Sequence, residues 1–371
     1  MRSDGFTDAQ WTALQKQYTL ESPPEMCSGP CSLGFPLGQR LFFEPALSGN
    51  GEVSCATCHA PTGWYVDPRR TDVSFGTVKW TQHNTISLVN LAYKRTFTWA
   101  GQCGDHSCLS PNDVIVDIAL PKAMTSTRTL VTQTIENNPE YLYLYRSSFS
   151  LGDPDVVANV ATSLHAYMRA LVSVDAPFDA YIAGNDSALS DKARRGFALF
   201  VGKAMCAECH RGPMFTDNTI HVTGVAQRGE HAPAMDAGAP GFFTPGLRNI
   251  DKTAPYMHDG SLANLADVID FYRRGGDTSG FSGDKDPLMQ PVDITDDEAR
   301  DLEAFLHALT GQALPETLTM DLRSYPPPPT CQLTTCGTAC VDTNDDAMNC
   351  GGCGKVCPVN KPVCAGGVCG H

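Results

Sequence analysis

The sequence predicts a mainly α-helical protein: two related helical domains followed by a small disulfide-rich C-terminal module. Three observations carry that expectation. The unit Cys-x-x-Cys-His occurs twice, as "CATCH" at 55–59 and "CAECH" at 206–210. Each copy follows a similar run, "GQRLFFEPALSGNGEVSCATCH" from Gly38 and "GFALFVGKAMCAECH" from Gly196, with Gly, then Leu-Phe, then the motif. Residues 331–371 hold eight cysteines among Gly, Asn and Asp, with almost no apolar residues to build a core.

In chain order, residues 1–35 read as an N-terminal extension. Its start, "MRSDGFTDAQ", has no apolar stretch of the kind a secretory signal needs, so the chain reads as a mature or trimmed one. Residues 36–188 form the first domain and 189–313 the second. Ser190 is placed to cap "DKARRGFALFVG", with Phe197, Phe200 and Val201 at helical spacing. "DVVANVATSLHAYMRALVSV" from Asp155 and "TDDEARDLEAFLHALTG" from Thr295 read as amphipathic helices. The second opens on a Thr295/Glu298 capping box and has Gly311 at its expected C-terminal cap. His165 and His307 on these helices read as surface or satisfied core histidines. Residues 314–330 form a linker stiffened by Pro326–Pro329, and 331–371 form the cysteine-rich module.

Cys-x-x-Cys-His is the attachment signature of c-type haem. The thiols add across the porphyrin vinyl groups, and the histidine ligates the iron. This assigns Cys55, Cys58 and His59 to one haem and Cys206, Cys209 and His210 to another. A redox dithiol or half a zinc site would explain a lone Cys-x-x-Cys; histidine directly after both copies fits neither well. Four of the 16 cysteines are used this way, leaving 12. Cys27 with Cys31, and Cys103 with Cys108, are candidate disulfide partners. In the tail, disulfides are favoured over a metal cluster because the spacings are irregular. His106, between Cys103 and Cys108, reads as an exposed loop residue. Covalent haem and abundant cysteine point to a periplasmic or exported protein. The formal charge of −14 argues against nucleic acid as a partner. No apolar run is long enough to span a bilayer.

"RLFFEPALSGNGEVSCATCH", "SLVNLAYKRTFTWAG" and "LRNIDKTAPYMHDGSLANLADVIDFYRRGG" together resemble the bacterial dihaem cytochrome c peroxidase and MauG family. The resemblance runs from about Leu37 to Gly311 and is nearer the MauG-like branch. It implies two cytochrome c-like domains facing each other, with haems near the interface. It also implies a sixth ligand for the second haem fourteen residues after His258, at Tyr272, where other family members carry methionine. Phenolate is a hard anionic ligand that favours ferric iron; Met257 and Met289 are the alternative ligands. In "TDVSFGTVKW", Phe75 or Gly76 falls where the family's resting peroxidases carry a distal histidine, which implies an open first iron. His83 stands where the family usually has arginine and reads as pocket wall or propionate partner. Trp99 matches the family's tryptophan between the haems. Asn84, with the carbonyls of Thr253 and Pro255, matches its Ca2+ site.

One departure stands out. The family's distal glutamate follows a glutamine and a proline. Here Asp117 and Pro121 stand in those two places, and Ala123 where the glutamate belongs. No glutamate occurs between Glu52 and Glu136. Asp117, or Asp113, is left to move protons.

The resemblance implies a dihaem c-type oxidoreductase that uses H2O2 for one-electron oxidations. MauG-like oxidation of a protein partner stands ahead of cytochrome c peroxidase-type peroxide reduction with electrons from a redox protein. The missing glutamate favours the rival reading, a dihaem electron-transfer cytochrome without peroxidase activity. The cysteine-rich tail would serve adhesion, surface placement or partner docking.

Overall fold

The computed structural model describes residues 5–22, 34–67, 83–103, 106–107, 109–149, 155–226, 241–324, 334–336, 339–341, 355, 363–365 and 368–370. It is mainly α-helical, as the sequence predicts. The helices are α1 (Asp8–Tyr18), α2 (Phe35–Phe42), α3 (Cys55–Cys58), α4 (Pro111–Val114), α5 (Arg128–Glu136), α6 (Pro139–Ser148), α7 (Val156–Arg169), α8 (Pro177–Ile182), α9 (Asp191–Val201), α10 (Leu265–Arg273), α11 (Asp296–His307) and α12 (Glu316–Thr319). A wide π-helical stretch, Ile115–Ala123, continues α4. Strands are confined to short antiparallel pairs: β1 (Gln102–Cys103) with β2 (His106–Ser107), β3 (Ile220–His221) with β4 (Phe242–Phe243), β5 (Thr334–Cys336) with β6 (Ala339–Val341), and β7 (Val363–Ala365) with β8 (Val368–Gly370).

The caps explain where the long helices start. Ser190 accepts from Ala193 N ahead of α9, Asp155 from Ala158 N ahead of α7, and Thr295 closes its box with Glu298 ahead of α11. Gly311 differs from expectation. α11 ends at His307, and Gly311 instead lies against the main chain of Val174, where a Cβ would come within 2.6 Å of the carbonyl oxygen.

Packing divides the chain into two lobes. One core includes Leu37, Phe42, Tyr65, Leu164, Tyr167 and Leu171; the other includes Trp11, Tyr18, Phe178, Phe197, Phe215 and Phe305. In the first, α2 crosses α7; in the second, α9 crosses α11. A glycine sits at each crossing. A Cβ on Gly38 would fall 1.8 Å from Ser163 O, and one on Gly196 would fall 1.9 Å from Asp301 O. The glycine that opens each sequence repeat is thus a contact point between helix backbones.

The lobes exchange segments. α1 belongs to the second core, and Phe178–Leu189 belongs there too, so the apolar packing changes lobe before residue 188. After α11 the chain returns: Leu314 and Leu318 pack on the first core. Leu318 O accepts from Tyr167 Oη (2.6 Å) and Tyr65 Oη (3.2 Å), and Gln39 Nε2 donates to Thr317 O (2.7 Å).

Several expectations fall outside the described residues: Phe75 and Gly76, the pairings of Cys27 with Cys31 and Cys103 with Cys108, the surroundings of His106, Pro326–Pro329, and most of the cysteine-rich tail. No helix among the described residues is long and apolar enough to cross a membrane.

Candidate functional site

Both Cys-x-x-Cys-His units fold alike. The first forms α3 and the second a single 3₁₀ turn, Cys206–Glu208. In each, the histidine N–H closes back on the first cysteine carbonyl, His59 on Cys55 O at 2.8 Å and His210 on Cys206 O at 2.9 Å. His59 Nδ1 then donates to Tyr65 O (3.1 Å), and His210 Nδ1 to Phe215 O (2.9 Å). These bonds place the proton on Nδ1 and leave Nε2 with a bare lone pair, the tautomer a metal ligand needs. Burial keeps both rings neutral, pulling His59 down to about 4 and lowering His210 as well. Tyr65 and Phe215 match beyond their carbonyls: both are fully buried and both hold left-handed backbone, φ 61° and 57°.

Cys55, Cys58, Cys206 and Cys209 are free thiols. Burial pushes Cys55 and Cys206 up to about 12 and Cys209 to about 11, so they rest protonated. Redox-active Cys-x-x-Cys thiols are depressed, and zinc requires thiolates. These cysteines have neither character.

A cavity of about 320 Å³ has Cys206, Cys209 and His210 in its wall, and Tyr272 from α10 joins them. Burial raises the Tyr272 phenol well above its usual range, and the neighbouring Cys206 and Cys209 add to that. Met257 and Met289 also line the cavity, so all three candidate ligands are gathered with His210.

The same cavity reaches the seam between the lobes through Asn84 and Trp99. Trp99 Nε1 donates to Asn84 O (2.8 Å), and Trp99 O accepts from Phe243 N (2.8 Å). Asn84 is bound to the other lobe: its N–H donates to His258 O (2.7 Å) and its Nδ2 to Pro255 O (2.6 Å). Thr253 lies in the same wall. His258 stacks on Phe242 with ring centres 4.0 Å apart, and His83 and Trp99 meet that pair edge-on. Burial, with His83 adding to it, takes His258 down to about 3, so the stack is neutral.

Asp117 and Pro121 lie together in the π-helical stretch, Asp117 half-buried and Pro121 exposed; Ala123 closes that stretch. Asp113 is occupied elsewhere, since its Oδ2 accepts from Leu109 N and Ser110 N, both at 2.8 Å, as the cap of α4. His307 pairs with Asp251 (2.6 Å), and burial holds the half-buried His165 near 4; neither touches the cavity.

Sequence reasoning missed a clamp beside Cys209. His221 donates through Nδ1 to Asp286 Oδ2 (2.7 Å) and through Nε2 to Asp217 Oδ2 (3.0 Å), fastening 217–221 to 286. The i, i+4 spacing of Asp217 and His221 was the available signal. Burial disfavours the charge on His221, but the two carboxylates outweigh it and raise the pKa. Burial also opposes the charge on Asp217, and hydrogen bonds from Thr219 and His221 outweigh it, holding Asp217 at about 2; His221 lowers Asp286. The raised histidine contributes stability that is complete below 6.5 and lost as pH rises through its folded value. The depressed carboxylates contribute stability complete above 3.8 and lost as pH falls toward 2. Stability from the clamp is therefore greatest between about pH 4 and 6.5. Urea midpoints measured against pH should decline above that window in the native protein, and His221→Gln should flatten that decline. Parallel curves would refute the assignment.

A family model described as di-haem cytochrome c peroxidase matches residues 33–187. The methylamine utilization protein MauG of Methylorubrum extorquens is 37% identical over 288 residues, 76% of this chain and 79% of that protein. The chain belongs to the di-haem cytochrome c peroxidase family. Cytochrome-c peroxidase IdrP2 of Denitromonas iodatirespirans is 30% identical over 83% of this chain and 90% of its own length. A crystal structure of a MauG-like protein associated with microbial copper homeostasis superposes with TM-score 0.67 at 28% identity, covering 82% of this chain and 96% of that one.

This dihaem peroxidase is accordingly an oxidoreductase with two c-type haems that uses hydrogen peroxide. Its residues fit the cofactor: two pairs of free thiols, two neutral imidazoles with Nε2 free, and a cavity beside the second pair. When bound, each haem supplies an iron that exchanges electrons one at a time.

Proposed function

We propose that this enzyme directs the oxidising power of H2O2 at a protein partner, withdrawing electrons singly from Trp or Tyr side chains. The presence of Tyr272 in the wall that also holds Cys206, Cys209 and His210 carries this reading. Two electrons leave the partner, and peroxide takes them with two protons to give two waters.

Each residue has a task in this reading. Cys55 and Cys58 hold the first haem, with His59 as its ligand. Cys206 and Cys209 would hold the second, with His210 and Tyr272 as the residues available to ligate its iron. A protonated phenol would have to surrender its proton to serve. An anionic oxygen then favours the higher iron charge, whereas a thioether favours the lower. Trp99, fixed at both its indole N–H and its carbonyl, passes electrons across the seam. Asp117 moves protons where the family uses glutamate, on a π-helical turn of the kind often found at functional sites. Pro121 shapes that turn. Asn84, Thr253 and Pro255 supply oxygens for Ca2+ at the seam. To do so the Asn84 amide must turn over, because its Nδ2 faces Pro255 O at 2.6 Å. Cysteine abundance supports a place outside the cytoplasm, where residues 331–371 would form a disulfide-rich docking arm.

EPR and optical spectra of the ferric protein, before and after stoichiometric H2O2, test the reading. One high-spin and one low-spin signal, both altered by peroxide, are expected. Tyr272→Met should change the low-spin signal and shorten the life of the oxidised protein. Two low-spin signals indifferent to peroxide would refute the reading.

A further inference from the structure

Beside the second histidine, three successive carbonyls are each held by a donor. Phe215 O accepts from His210 Nδ1 (2.9 Å), Met214 O from Leu247 N (3.3 Å) and Pro213 O from Arg248 Nε (2.6 Å). The two segments run so close that a Cβ on Gly246 would fall 2.8 Å from Met214 O. Arg248 does more than fill Pro213 O. Its other nitrogens fork onto Asp179, Nη1 to Oδ2 (3.0 Å) and Nη2 to Oδ1 (2.8 Å), and its guanidinium carbon lies 5.9 Å from the centre of the Phe215 ring. The Arg248 side chain is only 2% exposed. Asp179 is fixed in turn, because its Oδ2 also accepts from Ala176 N (2.9 Å) ahead of α8. A buried ion pair adds little net stability over an apolar pair of the same shape, so what this one contributes is geometry.

The internal repeat shows why the second lobe needs it. Asn90 and Asn249 hold the same left-handed backbone, φ 62° in both, and open equivalent turns, Leu91–Tyr93 and Ile250–Lys252. The residue before each is Val89 in the first lobe and Arg248 in the second. In the first lobe the aromatic residue whose carbonyl serves the histidine is Tyr65, and its own hydroxyl ties it down, 2.9 Å from Tyr167 Oη and 3.2 Å from Leu318 O. Phe215 has no hydroxyl, yet it holds the same left-handed backbone, φ 57°, which is unfavourable for a bulky residue. Arg248 grips its turn at Pro213 and covers its ring instead. We propose that Arg248 is a positioning residue for His210: by fixing the Pro213–Phe215 main chain it keeps the Phe215 carbonyl on Nδ1–H, and so lowers the reduction potential of the haem carried by Cys206, Cys209 and His210. This deepens the proposed function and rests on its assignment of that haem. A firmly held acceptor makes the imidazole a more basic ligand, and a more basic ligand favours the higher iron charge.

The test is a redox titration of the holoprotein, following the two ferric EPR signals separately. Arg248→Lys keeps the positive charge beside Asp179 but loses the planar fork that reaches Asp179 and Pro213 together. The second haem's potential should rise by about 59 mV, a tenfold change in its reduced-to-oxidised ratio for one electron and the lower end of what loosening a histidine ligand's partner costs. The first haem should move less. Arg248→Met combined with Asp179→Asn removes both charges, leaves an acceptor for Ala176 N, and should shift the second haem in the same direction. Loss of a cation acting only through its field would lower the potential, so the sign separates positioning from charge. A second-haem potential that is unchanged or lowered, or an equal rise at both haems, would overturn the proposal. Pyridine haemochrome should give two haems per chain; if one variant loses haem, the other decides on the same outcomes. Failure of the proposed function is read independently, from native protein whose two signals ignore peroxide.

Discussion

Gly196→Ala is expected to destabilise the second lobe by about 3 kcal/mol, at or above the upper end of the usual overpacking range. The added carbon would lie 1.9 Å from the Asp301 carbonyl oxygen and 2.6 Å from its carbon. Both atoms belong to the backbone of α11, so no side-chain rotation relieves the clash. Helices α9 and α11 must separate, and the gap opens among Phe197, Phe200 and Phe305, whose rings lie 5.0–5.3 Å apart. Because α9 runs into the Cys206 turn, His210 should lose its register against Phe215 as well. Gly38→Ala repeats the experiment in the first lobe, against Ser163 O. Urea unfolding of the holoprotein measures both. A loss below about 0.5 kcal/mol, the scale of ordinary surface changes, would mean the crossing adapts.

His59→Ala is expected to separate haem attachment from activity. Cys55 and Cys58 still offer two thiols, so pyridine haemochrome should continue to report two haems per chain. Peroxide-dependent oxidation should nevertheless fall by on the order of 100-fold or more. Changes one shell beyond a metal ligand already cost about 10–100-fold, and His59 is the ligand itself. Its preparation for that role is visible in the bond to Tyr65 O and in burial that holds the ring neutral. Cys55→Ser with Cys58→Ser should do the reverse and reduce the haem count to one. Unchanged turnover in His59→Ala would move the peroxide chemistry to the second lobe.

What could be read in the sequence was local. Cys-x-x-Cys-His packs its chemistry into five residues, and Ser190 and Thr295 cap within three, so spacing alone exposed them. The repeated Gly before Leu-Phe was visible too, but its purpose lies in α7 and α11, more than a hundred residues away. Gly311 carried the usual mark of a helix end, yet tertiary contact with Val174 accounts for it. Tyr65 and Phe215 escaped notice because they act through main-chain carbonyls, which side-chain chemistry does not reveal. Tyr272 came from resemblance, and the fold places it beside Cys206 and Cys209.

The return of the chain after α11 has a mechanical consequence. The second lobe ends in sequence before the first lobe is finished, because Leu314 and Leu318 pack into the first core. A pull on the chain beyond Ser324 would load the seam of Gln39, Tyr65 and Tyr167 on Thr317 and Leu318, and α11 would feel no tension until that seam sheared. Cargo or anchor joined there would be leashed to the lobe that holds His59.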